Sequence, residues 1–136
     1  MSKAVLFFAD GTEECEALLV ADLLRRARVE VIIASAMGRR ALVSSHGIHL
    51  NADALAEDVD YSDVDMVILP GGIPGTPNLA ENKTVTDTCV SFAKAGKKVA
   101  HLRRAQRPRQ PRPAGRQERH RPRRISGQAG RCHRPR

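Results

Sequence analysis

Residues 4–34 are AVLFFADGTEECEALLVADLLRRARVEVIIA, and this stretch predicts a strand-helix-strand unit. Ala4 to Ala9 form a continuous apolar run that stops at Asp10, which is typical of a strand buried on both faces of a parallel sheet. Apolar residues then recur at helical spacing, with glutamates before them and arginines after them, an order that suits the helix dipole. Val29 to Ala34 predicts a second buried strand. A unit of about thirty residues has the size of a right-handed parallel crossover.

The residues that follow continue the alternation of strands and helices, which predicts an α/β fold with a mostly parallel sheet. The further predicted elements are, in chain order, a β-hairpin or bent strand pair within residues 41–50, a loop or short helix over 53–65, a third buried strand at 66–69 ended by Pro70-Gly71-Gly72, a loop over 74–78, an amphipathic helix over 84–95 and a fourth strand that begins at Val99-Ala100.

Charge divides the chain after residue 100. The 136 residues have a formal net charge of +8, but residues 101–136 hold thirteen arginines and a single acid, Glu118, for a net +12. Residues 1–100 therefore carry −4. The basic part has only two large aliphatic residues and five prolines, too little apolar surface to offset its conformational entropy. We predict a folded domain over 1–100 and a disordered Arg/Pro-rich tail over 101–136.

The three cysteines, Cys15, Cys89 and Cys132, fit neither a disulfide framework nor a zinc-binding pattern. Cys15 and Cys89 stand among core-facing positions, which favours small buried hydrophobic residues over nucleophiles. Free thiols suit a reducing compartment, and the first apolar run is too short for a signal peptide or a membrane span. We therefore predict a cytoplasmic protein with no metal site and no membrane partner.

Four segments, taken together in their order and spacing, resemble the ThiJ/PfpI superfamily. The resemblance covers residues 3–100 and is strongest to the bacterial YajL-like branch. The segments are ADGTEECEA at residues 9–17, DLLRRA at 22–27, SSHGI at 44–48 and VILPGG, through Asn78-Leu79, at 67–79.

This resemblance implies a flavodoxin-like (Rossmann-like) doubly wound sheet, a homodimer and a cysteine nucleophile on a sharp turn after a strand. Glu16 matches the glutamate that hydrogen-bonds the nucleophile and lowers its pKa. Gly71 and Gly72 match the backbone amides that hold oxyanion charge. His46 matches a substrate-binding position near the pocket of the partner subunit. The activities implied are cofactor-free glyoxalase III chemistry, deglycation and redox-sensitive chaperoning, with small aldehydes or glycated proteins as substrates.

Each of these residues also has an ordinary interpretation. A glutamate in the first turn of a helix, like Glu16, is usually a solvated residue that matches the helix dipole. A Gly-Gly pair after a strand is usually a turn, and His46 alone is typical of a surface loop. The chemistry nevertheless suits the family roles, because paired glycines let amides approach a developing oxyanion closely.

The chain departs from the family pattern where the nucleophile should appear. The family continues with alanine, isoleucine, cysteine, small residues and a proline, whereas this chain continues with His101, Leu102 and Arg103. Codons that encode residues 101–106 can spell Ile-Cys-Ala-Ala-Pro-Ser in the neighbouring frame. We interpret residues 101–136 as an out-of-frame continuation, caused by a mutation, a sequencing error or pseudogene decay. The domain is then truncated and inactive, because Leu102 stands roughly where the cysteine should be.

Two other functions stay open. The arginine-rich tail predicts nonspecific, salt-dependent binding to nucleic acid, although it has no aromatic residue for base stacking. Alternatively, half of a doubly wound sheet leaves an unpaired strand edge and exposed apolar faces. Such a fragment predicts a non-enzymatic interaction or chaperone-like role.

Overall fold

The computed structural model describes residues 2–102 of the chain. The predicted tail, apart from its first two residues, lies outside this described part. None of the helices within residues 2–102 has the length and apolar character that crossing a membrane requires. The elements are β1 (Lys3–Phe8), α1 (Glu14–Arg26), β2 (Glu30–Ser35), β3 (Ala41–Val43), β4 (His49–Asn51), β5 (Ala54–Leu55), a 3-10 turn (Ala56–Asp58), β6 (Met66–Leu69), α2 (Gly75–Glu81), α3 (Lys83–Lys94) and β7 (Lys98–His101).

Five strands form one parallel sheet in the order β5-β2-β1-β6-β7. β1 lies at the centre, where Val5 is paired with Ile32 of β2 on one side and Val67 of β6 on the other. A strand with neighbours on both edges and helices on both faces needs apolar residues at successive positions, which explains the unbroken run in β1. The predicted parallel α/β sheet is confirmed.

The helices cover opposite faces of this sheet and create two layers of core. Successive β1 side chains point to opposite faces, so Phe7 packs with Leu79 of α2 and Phe92 of α3, whereas Phe8 packs in the layer that contains Ala17 of α1. Both phenylalanines are completely buried. The sheet is therefore wound on both faces, as predicted.

Side-chain caps begin the two long helices. The Glu13 carboxylate accepts a hydrogen bond from the Glu16 backbone N–H at 2.6 Å and starts α1. Asn82 Oδ1 accepts from the Val85 N–H at 3.0 Å and starts α3. Such caps satisfy backbone donors that a helix start would otherwise leave without partners. The Glu13 cap fixes the first turn of α1, from which Glu16 projects.

The structure corrects the sequence predictions at two points. Residues 74–78 were expected to be a loop, but α2 begins at Gly75 because Leu79 is buried against the sheet. The two-residue strand β5 is too short to show a periodic pattern, and it pairs with β2 beyond Asp53, whose backbone N–H donates to the Ile33 carbonyl. The predicted hairpin over 41–50 is confirmed as the antiparallel pair β3–β4.

β7, at one edge of the sheet, is its most exposed strand. Within residues 2–102, β7 pairs only with β6. Beside it lies an apolar cavity of about 400 Å³ between β7, α2 and α3, lined among others by Cys89, Val90 and Val99. Val90 and Val99 are 53% and 39% exposed. Large apolar side chains thus reach the surface where the sheet stops.

Candidate functional site

Three of the predicted features meet where parallel strands end, the edge at which α/β folds place their ligands. β6 and β7 end at Leu69 and His101, and the Leu102 N–H donates to the Leu69 carbonyl at 3.0 Å. A methyl group built on Gly71 would lie 2.5 Å from Glu16 Oε2 and 3.2 Å from the Leu102 carbonyl oxygen. Glu16, Gly71 and Leu102 therefore border one another.

The Glu16 carboxylate is joined directly to the loop after β6. The Gly71 N–H donates to Glu16 Oε2 at 2.7 Å, and the Glu13 N–H donates to the Gly71 carbonyl at 2.9 Å. The structure thus brings together two residues that stand 55 positions apart in the chain. It also shows that the Gly71 amide, predicted to hold oxyanion charge, is already occupied by the Glu16 carboxylate.

Gly72 has a different environment from Gly71. Its φ is +117°, and a Cβ there would lie 2.5 Å from both the Glu13 nitrogen and the Gly11 carbonyl oxygen. Its own carbonyl accepts from the Thr76 N–H at the start of α2. Close backbone packing therefore explains why a glycine stands at this position.

His46 lies in a second cluster, with Glu14 and Ser45 rather than with Glu16. Its Nδ1 lies 2.7 Å from Glu14 Oε1, and the Ser45 hydroxyl donates to Glu14 Oε2 at 3.2 Å. The His46 side chain is 68% exposed, whereas Glu14 is buried. No pattern in the sequence singles out Glu14, because its contacts come from a hairpin about thirty residues away.

Competing effects act on the pKa of Glu14. Desolvation raises this pKa, but hydrogen bonds from the Glu14 backbone and from Ser44, His46 and Ser45 together outweigh it. The resulting pKa is about 2, against an ordinary value of 4.5. Glu14 is therefore ionised at neutral pH.

Neither cysteine in the described residues is activated. The Glu13 charge, desolvation and the Glu14 charge raise the pKa of Cys15, and burial raises the pKa of Cys89. Because the thiolate is the nucleophilic form, a raised pKa lowers reactivity. The prediction that Cys15 is buried is wrong, since it lies exposed on α1, whereas Cys89 is half-buried against the core.

The sequence profile of the DJ-1/PfpI family matches residues 2–107. This chain belongs to the DJ-1/PfpI family. Its relatives include Protein dj-1beta of Drosophila melanogaster, which is 35% identical over 103 residues, or 75% of this chain and 55% of the relative. A deglycase of Thermococcus kodakarensis is 33% identical over 101 residues, which are 74% of this chain and 59% of the relative.

A solved DJ-1/PfpI structure agrees with the fold. Oxidised DJ-1 of Toxoplasma gondii superposes with a TM-score of 0.72 at 31% identity, over 74% of this chain and 55% of that chain. The predicted family and the flavodoxin-like α/β fold are therefore confirmed. The chain spans little more than half the length of each of these three relatives.

Proposed function

We propose that residues 2–102 form the first half of a DJ-1/PfpI deglycase or glyoxalase domain, with one wall of the active site but no nucleophile. The observation that carries this proposal is the contact among Glu16, Gly71 and Leu102. In the family pattern these positions hold the supporting glutamate, an amide of the oxyanion site and the nucleophilic cysteine.

The chemistry at position 102 makes the chain inactive. The isobutyl group of Leu102 offers neither a nucleophile nor an acid or base, so no covalent intermediate can form there. Cys15 and Cys89 do not replace it, because the pKa of each thiol is raised. Cys132 lies outside the described residues. The Glu16 carboxylate therefore keeps its bond to the Gly71 amide and has no thiol to support.

For the intact relative of this domain, we propose small aldehydes or glycated proteins as substrates. The Thermococcus relative is named a deglycase. The same proposal includes a homodimer in the cytoplasm, with His46 contributing to substrate binding near the pocket of the partner subunit, and no bound cofactor. The exposure of the His46 side chain is compatible with such a contact.

Turnover of methylglyoxal by the purified full-length chain tests the proposed inactivity. We expect no rate above that of the buffer, and the same result for Glu16→Gln. A family-like rate that Glu16→Gln abolishes would overturn the proposal, because it would show that Glu16 serves a nucleophile other than position 102.

We also propose that the family reading frame is lost at codon 100 or 101. Sequencing of the nucleotides across codons 95–125 tests this origin independently of any activity. The expected result is a neighbouring frame that spells Ile-Cys-Ala-Ala-Pro from codon 101 onward. Any other sequence there would rule out the frameshift.

A second candidate function is nonspecific nucleic-acid binding, which the +12 charge of residues 101–136 favours. Such binding depends on counterion release, so we expect retention on DNA at low salt and release by about 0.5 M salt. Retention above that concentration would indicate a selected interaction. An interaction or chaperone-like role for the apolar surface beside β7 predicts instead a monodisperse chain that melts cooperatively.

A further inference from the structure

The geometry points to a divalent transition-metal site formed by Glu13, Glu14 and His46. Each of the three side chains offers one ligand atom, and these atoms all lie within 4.8 Å of one another. The cluster uses other side chains than the contact between Glu16 and Gly71, although Glu13 is hydrogen-bonded to the backbone of both residues. The proposal goes beyond the family function, because it needs neither a nucleophile nor a second half of the domain.

The two elements that carry these ligands are held together by the backbone. Glu13 and Glu14 begin α1, whereas His46 lies in the turn between β3 and β4. The Ser45 N–H donates to the Thr12 carbonyl and the Gly11 N–H to the Val43 carbonyl, both at 2.9 Å. The hairpin turn is therefore fixed against the start of the helix. The backbones that carry the three ligands are thus held together before an ion binds, so that only side chains must move, which reduces the entropy lost on binding.

The charge of the cluster favours a cation. Two carboxylates supply about −2, which exceeds the roughly +0.5 that the N-terminus of a helix carries. In the described part of the chain, neither Glu13 nor Glu14 is paired with a lysine or arginine. Their cationic neighbour is His46, which is charged only when protonated. With a neutral imidazole, no lysine or arginine within residues 2–102 compensates the negative charge of the cluster.

The individual atoms suit metal coordination. Glu13 Oε2 caps the helix by accepting from the Glu16 N–H, so its Oε1 is the oxygen available to an ion. His46 Nδ1 and Glu14 Oε1 lie 2.7 Å apart, which is a hydrogen-bond distance. An ion that replaces the shared proton must separate them to about 3.3 Å, the spacing of two ligands that each lie about 2.0 Å from a tetrahedral Zn²⁺. Binding requires the neutral imidazole to carry its proton on Nε2, so that the Nδ1 lone pair faces the ion.

The ligand set selects the class of ion. One imidazole nitrogen and two carboxylate oxygens suit Zn²⁺ or Ni²⁺, whereas Mg²⁺ and Ca²⁺ prefer oxygen alone. The exposure of His46 leaves the remaining coordination positions open to water. Three protein ligands with an open position resemble a catalytic more than a closed structural zinc site.

Isothermal titration of the full-length chain with Zn²⁺ alone tests the site. The tail contains Cys132 and His133, which can bind Zn²⁺ themselves, so a Cys132→Ser/His133→Ala chain serves as the parent. We expect one saturable equivalent in this parent. His46→Ala should lower its affinity at least tenfold, and His49→Ala should leave it unchanged, since His49 is an exposed histidine on the same hairpin.

Glu14→Gln removes a charged ligand of similar shape and should also weaken binding at least tenfold, with circular dichroism showing that the chain is folded. If this variant unfolds, the comparison of His46→Ala with His49→Ala decides alone, because both side chains are exposed. Three results would overturn the metal site: no saturable binding, binding that His46→Ala leaves unchanged, or binding that His49→Ala weakens equally. The cluster would then be only an ion pair between Glu14 and His46. Failure here would leave the proposed family function untouched, because that function uses no metal.

Discussion

β1 and β7 are strands of the same sheet with opposite environments. Every residue of β1 after Lys3 is buried, whereas Lys98, Val99 and His101 of β7 are exposed. β1 has a neighbour on each edge and a helix layer on each face, but within residues 2–102 β7 has one neighbouring strand. The comparison indicates that the central strand β1 contributes more to stability than the edge strand β7. Glu16 on α1 and Gly71 after β6 are attached to the buried centre of the sheet, whereas position 102 follows the exposed strand β7.

Phe7→Ala should produce the largest loss of stability. Phe7 is completely buried between β1 and the α2–α3 layer, and removing such a ring costs about 3–5 kcal/mol. Val99→Ala is a smaller truncation on β7 and should cost under about 1 kcal/mol, because Val99 is already 39% exposed. Urea unfolding measures both free energies. Equal losses would show that β7 is as well packed as β1.

Gly72→Ala should have the next largest effect. Its φ of +117° costs a side chain about 1–3 kcal/mol, and the new methyl group would also overlap the backbone of Gly11 and Glu13. Gly38→Ala is the control, because its φ is +64° and nothing lies within 4 Å of the added carbon. We expect a smaller cost there, of about 1 kcal/mol, because only the left-handed conformation opposes the side chain. Equal urea midpoints for the two variants would contradict the claim that close backbone packing requires a glycine at position 72.

Asn82→Ala should cost about 1 kcal/mol, because it removes the cap of α3, the helix beside β7. The Asn82 side chain also donates to the Ala36 carbonyl at 2.9 Å. Asn82→Asp keeps the capping oxygen but loses that donor, and it should be less destabilising. Thermal melts of the two variants separate the contributions. A more stable Asn82→Ala than Asn82→Asp would contradict the capping role.

Glu14 should make the free energy of unfolding depend on pH in the acidic range. Its folded pKa is about 2, below the ordinary 4.5, so its stabilising contribution is complete above pH 4.5 and is lost as the pH falls through 2. Urea unfolding between pH 5 and 2 in the presence of EDTA measures this loss. Glu14→Gln should flatten the dependence. An unchanged slope in that variant would assign the acid sensitivity to other carboxylates.

The elements that could be predicted from the sequence are those with a periodic or continuous apolar pattern of their own. The apolar runs predicted β1, β2 and β6, and helical spacing predicted α1 and α3. It failed where tertiary contact decides the structure, as for α2 and the exposed Cys15. The contact of Glu14 with His46 has no signal in the sequence, because their spacing follows no periodic pattern. Glu16 and Gly71 were predicted from the family resemblance, while the hydrogen bond between them came only from the structure.

The central claim is that Glu16 and Gly71 form an active-site wall at position 102 with no nucleophile to serve. The most direct measurement is the pKa of a thiol placed there by Leu102→Cys, in a chain that also carries Cys15→Ser, Cys89→Ala and Cys132→Ser. The rate of iodoacetamide alkylation as a function of pH gives this pKa. We predict a value below the ordinary 8.5 or so, which Glu16→Ala raises. A pKa at or above that value, or one that Glu16→Ala leaves unchanged, would contradict the claim.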